Sequence, residues 1–316
     1  MKKCAKPLSL LATVTAVLVF AASAVFANPT DQLNWQDSTI TVVGMGVPPA
    51  NARNAVQARM MARRAAVVDG YRQLAEAIKG VNVDAETTVE NFMVTSDVTR
   101  TKVSALVQGA QVIKEGTTSD GGYEVTMRIS MFGVGNSLAD AVMPRNEVQE
   151  VFPEPVQSVA PSVPAYDAGA SVSVRVDVTA AAPPSSVAVP PSSSTAPAPS
   201  LLSTRAIGGY TGLIVDCRGL GLSPVMSPVI KNADGESIYG HKNLNPDYVV
   251  AKGMASYTTD IKGGTARAGS NPLVVKAISL QGNNSYPVLS VADANRVLIE
   301  NRSSGFLEKT NVVFLR

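Results

Sequence analysis

The sequence predicts an α+β protein with two small domains: the first a mainly antiparallel sheet crossed by one long helix, the second α+β with long loops. Three observations carry this prediction. Residues 50–80 form the longest helical pattern after the N-terminal apolar segment, and residues 106–131 alternate apolar and polar side chains around a glycine-rich turn. Residues 153–206 are dominated by Pro, Ser, Ala and Val. This segment separates a predicted domain at 35–145 from one at 208–316.

The first 27 residues predict a cleaved signal peptide. Three lysines precede an apolar stretch at 8–26, and Val25 and Ala27 occupy the two positions that signal peptidase recognises. We expect cleavage after Ala27, a periplasmic, outer-surface or secreted location, and no integral membrane span in the mature chain. An uncleaved anchor is the alternative. Cys4 precedes the apolar core, whereas a lipoprotein cysteine follows it, so no lipidation is expected at Cys4.

Charge and cysteine content exclude several classes of function. The chain has 27 basic and 25 acidic residues, and loss of the three signal lysines leaves 24 basic against 25 acidic, a net charge of about −1. This balance gives no electrostatic reason to expect nucleic acid or an anionic membrane surface as a partner. Cys217 is the one cysteine of the mature chain, so no internal disulfide is expected.

The helical pattern at 50–80 has predicted ends and a predicted buried face. Asn51 or Asn54 can cap its first turn, and Gly80 lies where a left-handed C-cap is expected. The face is rich in Ala, which allows another backbone, expected to belong to a sheet, to approach closely. The predicted apolar stripe comprises Met61, Ala65, Val68, Tyr71, Leu74, Ala75 and Ile78.

Polar residues of the same helix are the first site candidates. Asp69 lies at the margin of the apolar stripe, where a carboxylate needs partners. We predict a structural role for Asp69, with hydrogen bonds to backbone amides or to an arginine of a neighbouring sheet or loop. Four arginines lie mostly outside the stripe and form a candidate contact surface, with a solvated helix face as the alternative. They are Arg59, Arg63, Arg64 and Arg72.

Strand patterns surround the helix and complete a predicted order of β-α-β-α-β-β. Residues 39–46 predict the first strand, 85–94 the second, and 96–104 a short helix. A hairpin follows, in which Asp120 and Gly121 belong to a turn that requires positive φ angles. Its two strands are predicted at 106–117 and 123–131.

The segment at 153–206 predicts a disordered linker, since its composition buries too little apolar surface to offset the entropy of ordering. Within it, residues 171–179, SVSVRVDVT, alternate valine with polar residues. Two interpretations are open. The pattern is either a chance feature of low-complexity sequence in a disordered linker or a lone strand that pairs with a sheet edge. The second domain is predicted from a hairpin around Asp234-Gly235, a helix capped at Ser290, and strands at 210–217, 225–230, 236–239, 273–280 and 312–315.

Candidate chemistry is sparse. Cys217 and His241 are the only mature cysteine and the only histidine, so a thiol–imidazole pair is the first enzymatic hypothesis. Cys217 ends an apolar strand, however, and His241 lies in a polar loop without a local signature. One histidine and one cysteine do not form a common zinc or transition-metal site. The sequence therefore predicts no catalytic residue, no cofactor and no metal.

A family resemblance rests on the long helix. The run Ala62-Arg63-Arg64-Ala65-Ala66, with Asp69 one turn later and then Tyr71 and Leu74, resembles the signature helix of the Lpp20-like family of bacterial exported proteins. The preceding strand, which ends in glycines, and the following Asp-Gly-Gly-Tyr hairpin also fit. The N-terminal domain of flagellar assembly protein T is similar in layout. The resemblance covers about 39–132 and implies an envelope protein without enzymatic activity.

The sequence thus favours a non-enzymatic, exported cell-envelope protein that acts by binding other envelope proteins or by self-assembly. A flagellar or motility accessory protein is the alternative within this class. An envelope hydrolase with a site in the loops of the second domain is the alternative from another class.

Overall fold

The computed structural model describes residues 32–145, 148–155 and 205–316. The predicted signal peptide and the strand-like piece at 171–179 lie outside these residues. Helices and sheets occur in both halves, which confirms the α+β class. In chain order the elements are β1 (Leu33–Asn34), β2 (Thr39–Gly46), α1 (Ala55–Lys79), α2 (Val89–Thr95), α3 (Asp97–Gln108), β3 (Gln111–Thr117), β4 (Tyr123–Ser130), α4 (Leu138–Val142), β5 (Gly212–Asp216), β6 (Ile230–Asn232), β7 (Ser237–Tyr239), α5 (Pro246–Lys252), β8 (Ser256–Thr258), α6 (Ile261–Ala268), β9 (Pro272–Lys276), β10 (Ser279–Gln281), β11 (Tyr286–Leu289), α7 (Val291–Ser304) and β12 (Val312–Leu315).

The first half is built on a four-stranded antiparallel sheet in the order β1-β2-β4-β3. β2 and β4 pair along their whole length, from Thr39 opposite Ser130 to Gly46 opposite Tyr123. α1 crosses one face of this sheet, as the sequence predicts. Its buried residues recur every fourth position, which places them in one row along the helix. They are Ala62, Ala66, Gly70, Leu74 and Ile78.

α1 approaches β2 so closely that two positions of the strand admit only glycine. A Cβ atom at Gly44 would lie 2.2 Å from the Ala66 carbonyl oxygen, and one at Gly46 would lie 2.0 Å from the Ala62 carbonyl oxygen. These are backbone atoms, so no change of rotamer relieves the clash. The glycines that end the strand and the alanines of the helix therefore serve one purpose, the close packing of two backbones.

This packing also corrects the predicted apolar stripe. Met61, Ala65 and Val68, predicted inside it, are exposed, whereas Ala62, Ala66 and Gly70 are buried. The prediction followed hydrophobicity, but α1 approaches β2 most closely at Ala62, Ala66 and Gly70, where only small side chains fit, and Leu74 and Ile78 are buried further along the same row. The buried face of α1 is therefore chosen by size as well as by polarity.

Both ends of α1 are defined by hydrogen bonds. The Asn54 side chain accepts from the amide of Gln57 at 2.8 Å, so Asn54 is the cap. Gly80 adopts φ −77° and ψ −3°, in the right-handed region, so the predicted left-handed cap is wrong. The amide of Val81 donates to the Ile78 carbonyl at 3.0 Å. This tight turn ends the helix without a left-handed residue, and Val81 is buried directly after it.

The strand predicted at 85–94 is wrong, because most of this segment is helix α2. The Thr88 side chain caps α2 by accepting from the amide of Asn91 at 3.4 Å. The extended residues before it form an isolated bridge between Asn82 and Thr88, outside the sheet. Within the described residues, the order of the first half is β-β-α-α-α-β-β-α and differs from the predicted order.

The hairpin is confirmed, with a shorter first strand because α3 continues to Gln108. Gly121 adopts φ +88°, as the turn requires. The Asp120 carboxylate accepts from the Thr118 hydroxyl and from the Gly122 amide, and these bonds, in that order, lower the pKa of Asp120. Asp120 and Gly121 thus hold the turn. β3 forms the sheet edge and exposes all of its residues.

The second half contains two four-stranded sheets. One is wholly parallel, in the order β8-β12-β5-β9, and the other is mixed, in the order β10-β11-β6-β7. β12 lies inside the parallel sheet with all four residues buried, which confirms the strand predicted at 312–315. The predicted cap of α7 is also confirmed, since Ser290 accepts from the amide of Asp293 at 3.0 Å.

The strand predicted at 273–280 is two strands in different sheets. β9 joins the parallel sheet, and β10 joins the mixed sheet. Between them, the amide of Ala277 donates to Asp216 and the amide of Ile278 donates to Val288, so adjacent residues bond to opposite sheets. Residues 225–229 form no strand, and helices α5 and α6 were not predicted from the sequence.

The two halves pack directly against each other around a shared core. The amide of Ser227 donates to the Val83 carbonyl at 2.7 Å, and the Trp35 ring meets the Tyr257 ring edge to face at 5.5 Å. None of the helices in the described ranges combines the length and hydropathy that a membrane span needs.

The residues that flank the predicted linker on both sides are attached to the second half. The Phe152 ring stacks on Tyr239 with centroids 6.4 Å apart. The buried Glu300 carboxylate accepts from the amides of Ile207 and Gly208, each at 2.9 Å. The two halves are thus distinct in sequence and joined in packing.

Candidate functional site

Cys217 and His241 lie in surroundings that disfavour thiolate catalysis. Cys217 is 1 % exposed, and burial, with a contribution from Asp216, raises the pKa of its thiol to about 12. At neutral pH the thiol is therefore protonated and a poor nucleophile. Burial lowers the pKa of His241, opposed by a backbone hydrogen bond at Pro144. Within the described residues, no group of three His, Cys, Asp or Glu side chains could hold a metal.

The side of α1 that faces away from the sheet is the clearest candidate surface. Its apolar residues Val56, Met60 and Val68 are 70, 65 and 63 % exposed, and Met61 is exposed beside them. Arg64 continues the four-residue spacing of this row, and Arg59 flanks it. These six residues are called the α1 outer face below. An exposed apolar row on a helix anchored by its opposite face is typical of a protein-binding surface.

The four arginines predicted as a contact surface have two different roles. Arg63 pairs with Glu115 of β3 at 2.8 Å, and Arg72 pairs with Asp69 and Glu76, each at 2.8 Å. These pairs attach the helix to the sheet edge or lie along the helix itself. Arg59 and Arg64 form no ion pair with any residue that the structure describes, so their charges remain available to a partner.

Asp69 accepts three hydrogen bonds. The Met45 amide of β2 donates to one carboxylate oxygen at 3.0 Å, and Gln73 donates to the same oxygen at 2.7 Å. Arg72 donates to the other oxygen at 2.8 Å. The predicted amide comes from the neighbouring sheet, whereas the arginine comes from α1. Partial burial raises the pKa of Asp69, but the three bonds outweigh it, and the pKa lies below its ordinary value.

We expect Asp69→Ala to reduce the free energy of unfolding by about 1–3 kcal/mol, because it removes the acceptor of the Met45 amide. Asp69→Asn keeps one oxygen acceptor and is the matched control, with a smaller expected loss. Since the folded-state pKa is lowered, the stability that the charge contributes is complete above the ordinary value of 3.8 and is lost as the pH falls below it. Thermal denaturation near pH 7 and at about pH 3 measures this effect. The difference in melting temperature between the wild type and Asp69→Asn should be smaller at the acidic pH. An unchanged melting temperature of Asp69→Ala would contradict the structural role.

A second candidate lies where the two halves meet. A cavity of about 450 Å³ opens between the start of β2 and the segment around α6 and β8. Gln36 and Ser38 line it from the first half, and Lys252, Arg267 and Lys309 line it from the second. This group was not predicted from the sequence, because the three cations belong to segments that only the fold brings together.

One known family matches part of the second half. Residues 212–316 match the family model of the second domain of Treponema pallidum Tp0624. The match covers about a third of the chain and starts with β5, close to the predicted domain start at 208. The chain is similar to that domain over the whole parallel sheet. No curated protein matches the chain.

Proposed function

We propose that this protein is an exported, non-enzymatic component of the bacterial cell envelope that binds another envelope protein through the α1 outer face. The observation that carries the proposal is the division of α1 into two faces. One face is fixed against β2 by backbone contacts that leave no room for a Cβ atom at Gly44 or Gly46. The other presents exposed apolar side chains beside Arg59 and Arg64, which have no carboxylate partner in the described ranges.

The charge of the surface suggests the chemistry of the partner. Arg59 and Arg64 add two positive charges to an apolar row, so a complementary partner has an apolar groove bordered by acidic residues. Arginine and methionine are both enriched where proteins bind one another. The mature chain has a net charge of about −1, so attraction would be local to this helix.

Two further features support an envelope setting. The predicted signal peptide implies export, and the sequence of the long helix resembles the signature helix of the Lpp20-like family, a resemblance that implies an envelope protein. A motility accessory role is the narrower version of the same proposal, and it rests on the similarity between the layout predicted from the sequence and the N-terminal domain of flagellar assembly protein T. N-terminal sequencing of the exported protein should identify Asn28 as its first residue.

Capture from envelope extracts tests the proposal. We expect the tagged mature protein to retain an envelope protein, and Arg59→Glu/Arg64→Glu to reduce that retention at least about tenfold, as loss of central interface residues does. Lys262→Glu/Lys276→Glu makes the same charge change at exposed positions of α6 and β9 and should retain the partner. Quantitative mass spectrometry of the captured fractions provides the measurement.

The captured material also separates the alternatives. Flagellar basal-body proteins would favour the motility role, and untagged copies of this chain would indicate self-assembly. Equal retention by the Arg59→Glu/Arg64→Glu protein and its control would contradict binding through the α1 outer face. A wild-type protein that captures nothing and sediments as a monomer would contradict the assembly role altogether.

A further inference from the structure

The cavity between the two halves has a strongly one-sided charge. Lys252, Arg267 and Lys309 line it, and none of its described lining residues is acidic. Its volume of about 450 Å³ is in the range of small-molecule sites, which span roughly 300–1,000 Å³. None of these residues belongs to α1, so the cavity is separate from the α1 outer face.

Arg267 lines the cavity and forms no ion pair with a carboxylate of the described residues. Its Nε donates to the Thr310 carbonyl at 2.8 Å, its Nη1 to the Lys252 carbonyl at 2.7 Å, and its Nη2 to the Thr310 hydroxyl at 3.1 Å and to the Gly253 carbonyl. These acceptors are neutral, and no ion pair of Arg267 occurs among the described residues. They orient the guanidinium but leave its positive charge uncompensated, and burial lowers the pKa of Arg267.

The two lysines also lack carboxylate partners within the described residues. The Lys252 ammonium lies 5.1 Å from the centroid of the Tyr248 ring, and the Lys309 ammonium donates to the Ser304 carbonyl at 2.9 Å. Three like charges around one cavity repel one another, and an anion placed among them would relieve that repulsion. Water screens the lysines more than Arg267, because Arg267 is more deeply buried.

Neutral hydrogen-bonding groups complete the lining. Gln36 contributes a side-chain amide, and Thr310 contributes a hydroxyl that accepts from Arg267. The Thr258 hydroxyl and the Asn311 amide also belong to the lining, but they donate to the carbonyls of Asp260 and Thr211 at 3.0 and 2.9 Å. Hydroxyls and amides bind the oxygens of a polar anion directionally, whereas a bare halide needs only charge. This combination points to an oxyanion with several acceptor oxygens.

We propose that the cavity binds a small phosphate-type oxyanion between Lys252, Arg267 and Lys309. The anion is either free phosphate or the phosphate group of a larger polar molecule. Because Gln36 and Ser38 reach the same cavity from the first half, the bound anion bridges the two halves and stabilises their contact. An anion that binds the folded state but not the unfolded state raises the melting temperature of the protein.

Isothermal titration of the full mature chain with inorganic phosphate, at constant ionic strength, tests the site. One saturable site is expected, and Lys252→Gln and Lys309→Gln should each weaken it about tenfold. Lys262→Gln, which removes an exposed charge of α6 outside the cavity, should bind as the wild type does. These variants avoid Arg267, whose hydrogen bonds also hold the fold together.

Two further measurements complete the test. One distinguishes free phosphate from a phosphate ester, and the other distinguishes this proposal from the one for the α1 outer face. Tighter binding of glycerol 3-phosphate than of inorganic phosphate indicates a phosphate ester, and the reverse indicates the free ion. Arg59→Glu/Arg64→Glu should leave phosphate binding unchanged, so failure of the α1 proposal is distinguishable from failure of this one. An equal response to chloride, or equal binding by Lys252→Gln and Lys262→Gln, would overturn the site.

Discussion

Gly44→Ala is expected to reduce the free energy of unfolding by about 3 kcal/mol, as overpacking against rigid surroundings does. The added Cβ would lie 2.2 Å from the Ala66 carbonyl oxygen and 2.5 Å from the Gly70 amide nitrogen. Both belong to the backbone of α1, so relief requires the helix to move away from the sheet. The helix contacts β2 and β4 along much of its length, and such a shift opens the core of the first half.

Two other glycines of the first half provide graded controls for urea denaturation. A Cβ added at Gly116, in edge strand β3, would have no heavy atom within 4 Å, so Gly116→Ala should be near neutral. A Cβ at Gly70 would meet the Met127 sulfur at 2.6 Å, but a flexible side chain can move, and an intermediate loss is expected. A Gly44→Ala protein as stable as Gly116→Ala would contradict the close packing of α1 on β2.

Phe314→Ala should cost about 3–5 kcal/mol, the range for removal of a buried aromatic ring. Phe314 is fully buried in β12, between β8 and β5, and its ring centroid lies 5.4 Å from that of Tyr257. Tyr257 in turn contacts Trp35 of the first half. The loss should therefore reach both halves through one chain of aromatic contacts.

Urea unfolding followed by two signals measures this effect. Trp35 is the only tryptophan, so its fluorescence reports on the contact between the halves, while circular dichroism reports on all helices. Both signals of Phe314→Ala should shift together to lower urea, and Val274→Ala, at an exposed position of β9, should shift little. A tryptophan transition that stays at the wild-type position would contradict the shared core.

Local chemistry made part of the fold predictable. The Asp120-Gly121 turn, the Ser290 cap and the apolar run of β12 each depend on neighbouring residues, and the structure contains all three. The strand predicted at 85–94 failed because Thr88 can begin a helix as well as continue a strand. The break at Ala277 depends on pairing with Asp216, which is distant in sequence.

The candidate sites were predictable to different degrees. The arginines of α1 were visible because a single helix carries them. The pairing of Arg63 was not, since its partner Glu115 lies on β3, whereas both partners of Arg72 lie on α1 itself. The outer position of Met61 and Val68 could not be recognised, because glycines of another element decide which face of α1 is buried. The cavity around Arg267 had no sequence signal at all, since its cations come from three separate segments.

Site-specific photo-crosslinking tests the proposed function most directly. A photoreactive amino acid replaces Met60 on the α1 outer face and, as the control, Val274 on the exposed side of β9, in cells that produce the full chain. We predict a discrete adduct with one envelope protein from position 60 and none from position 274. No adduct at position 60, or the same adducts from both positions, would contradict the assignment of the α1 outer face as the binding surface.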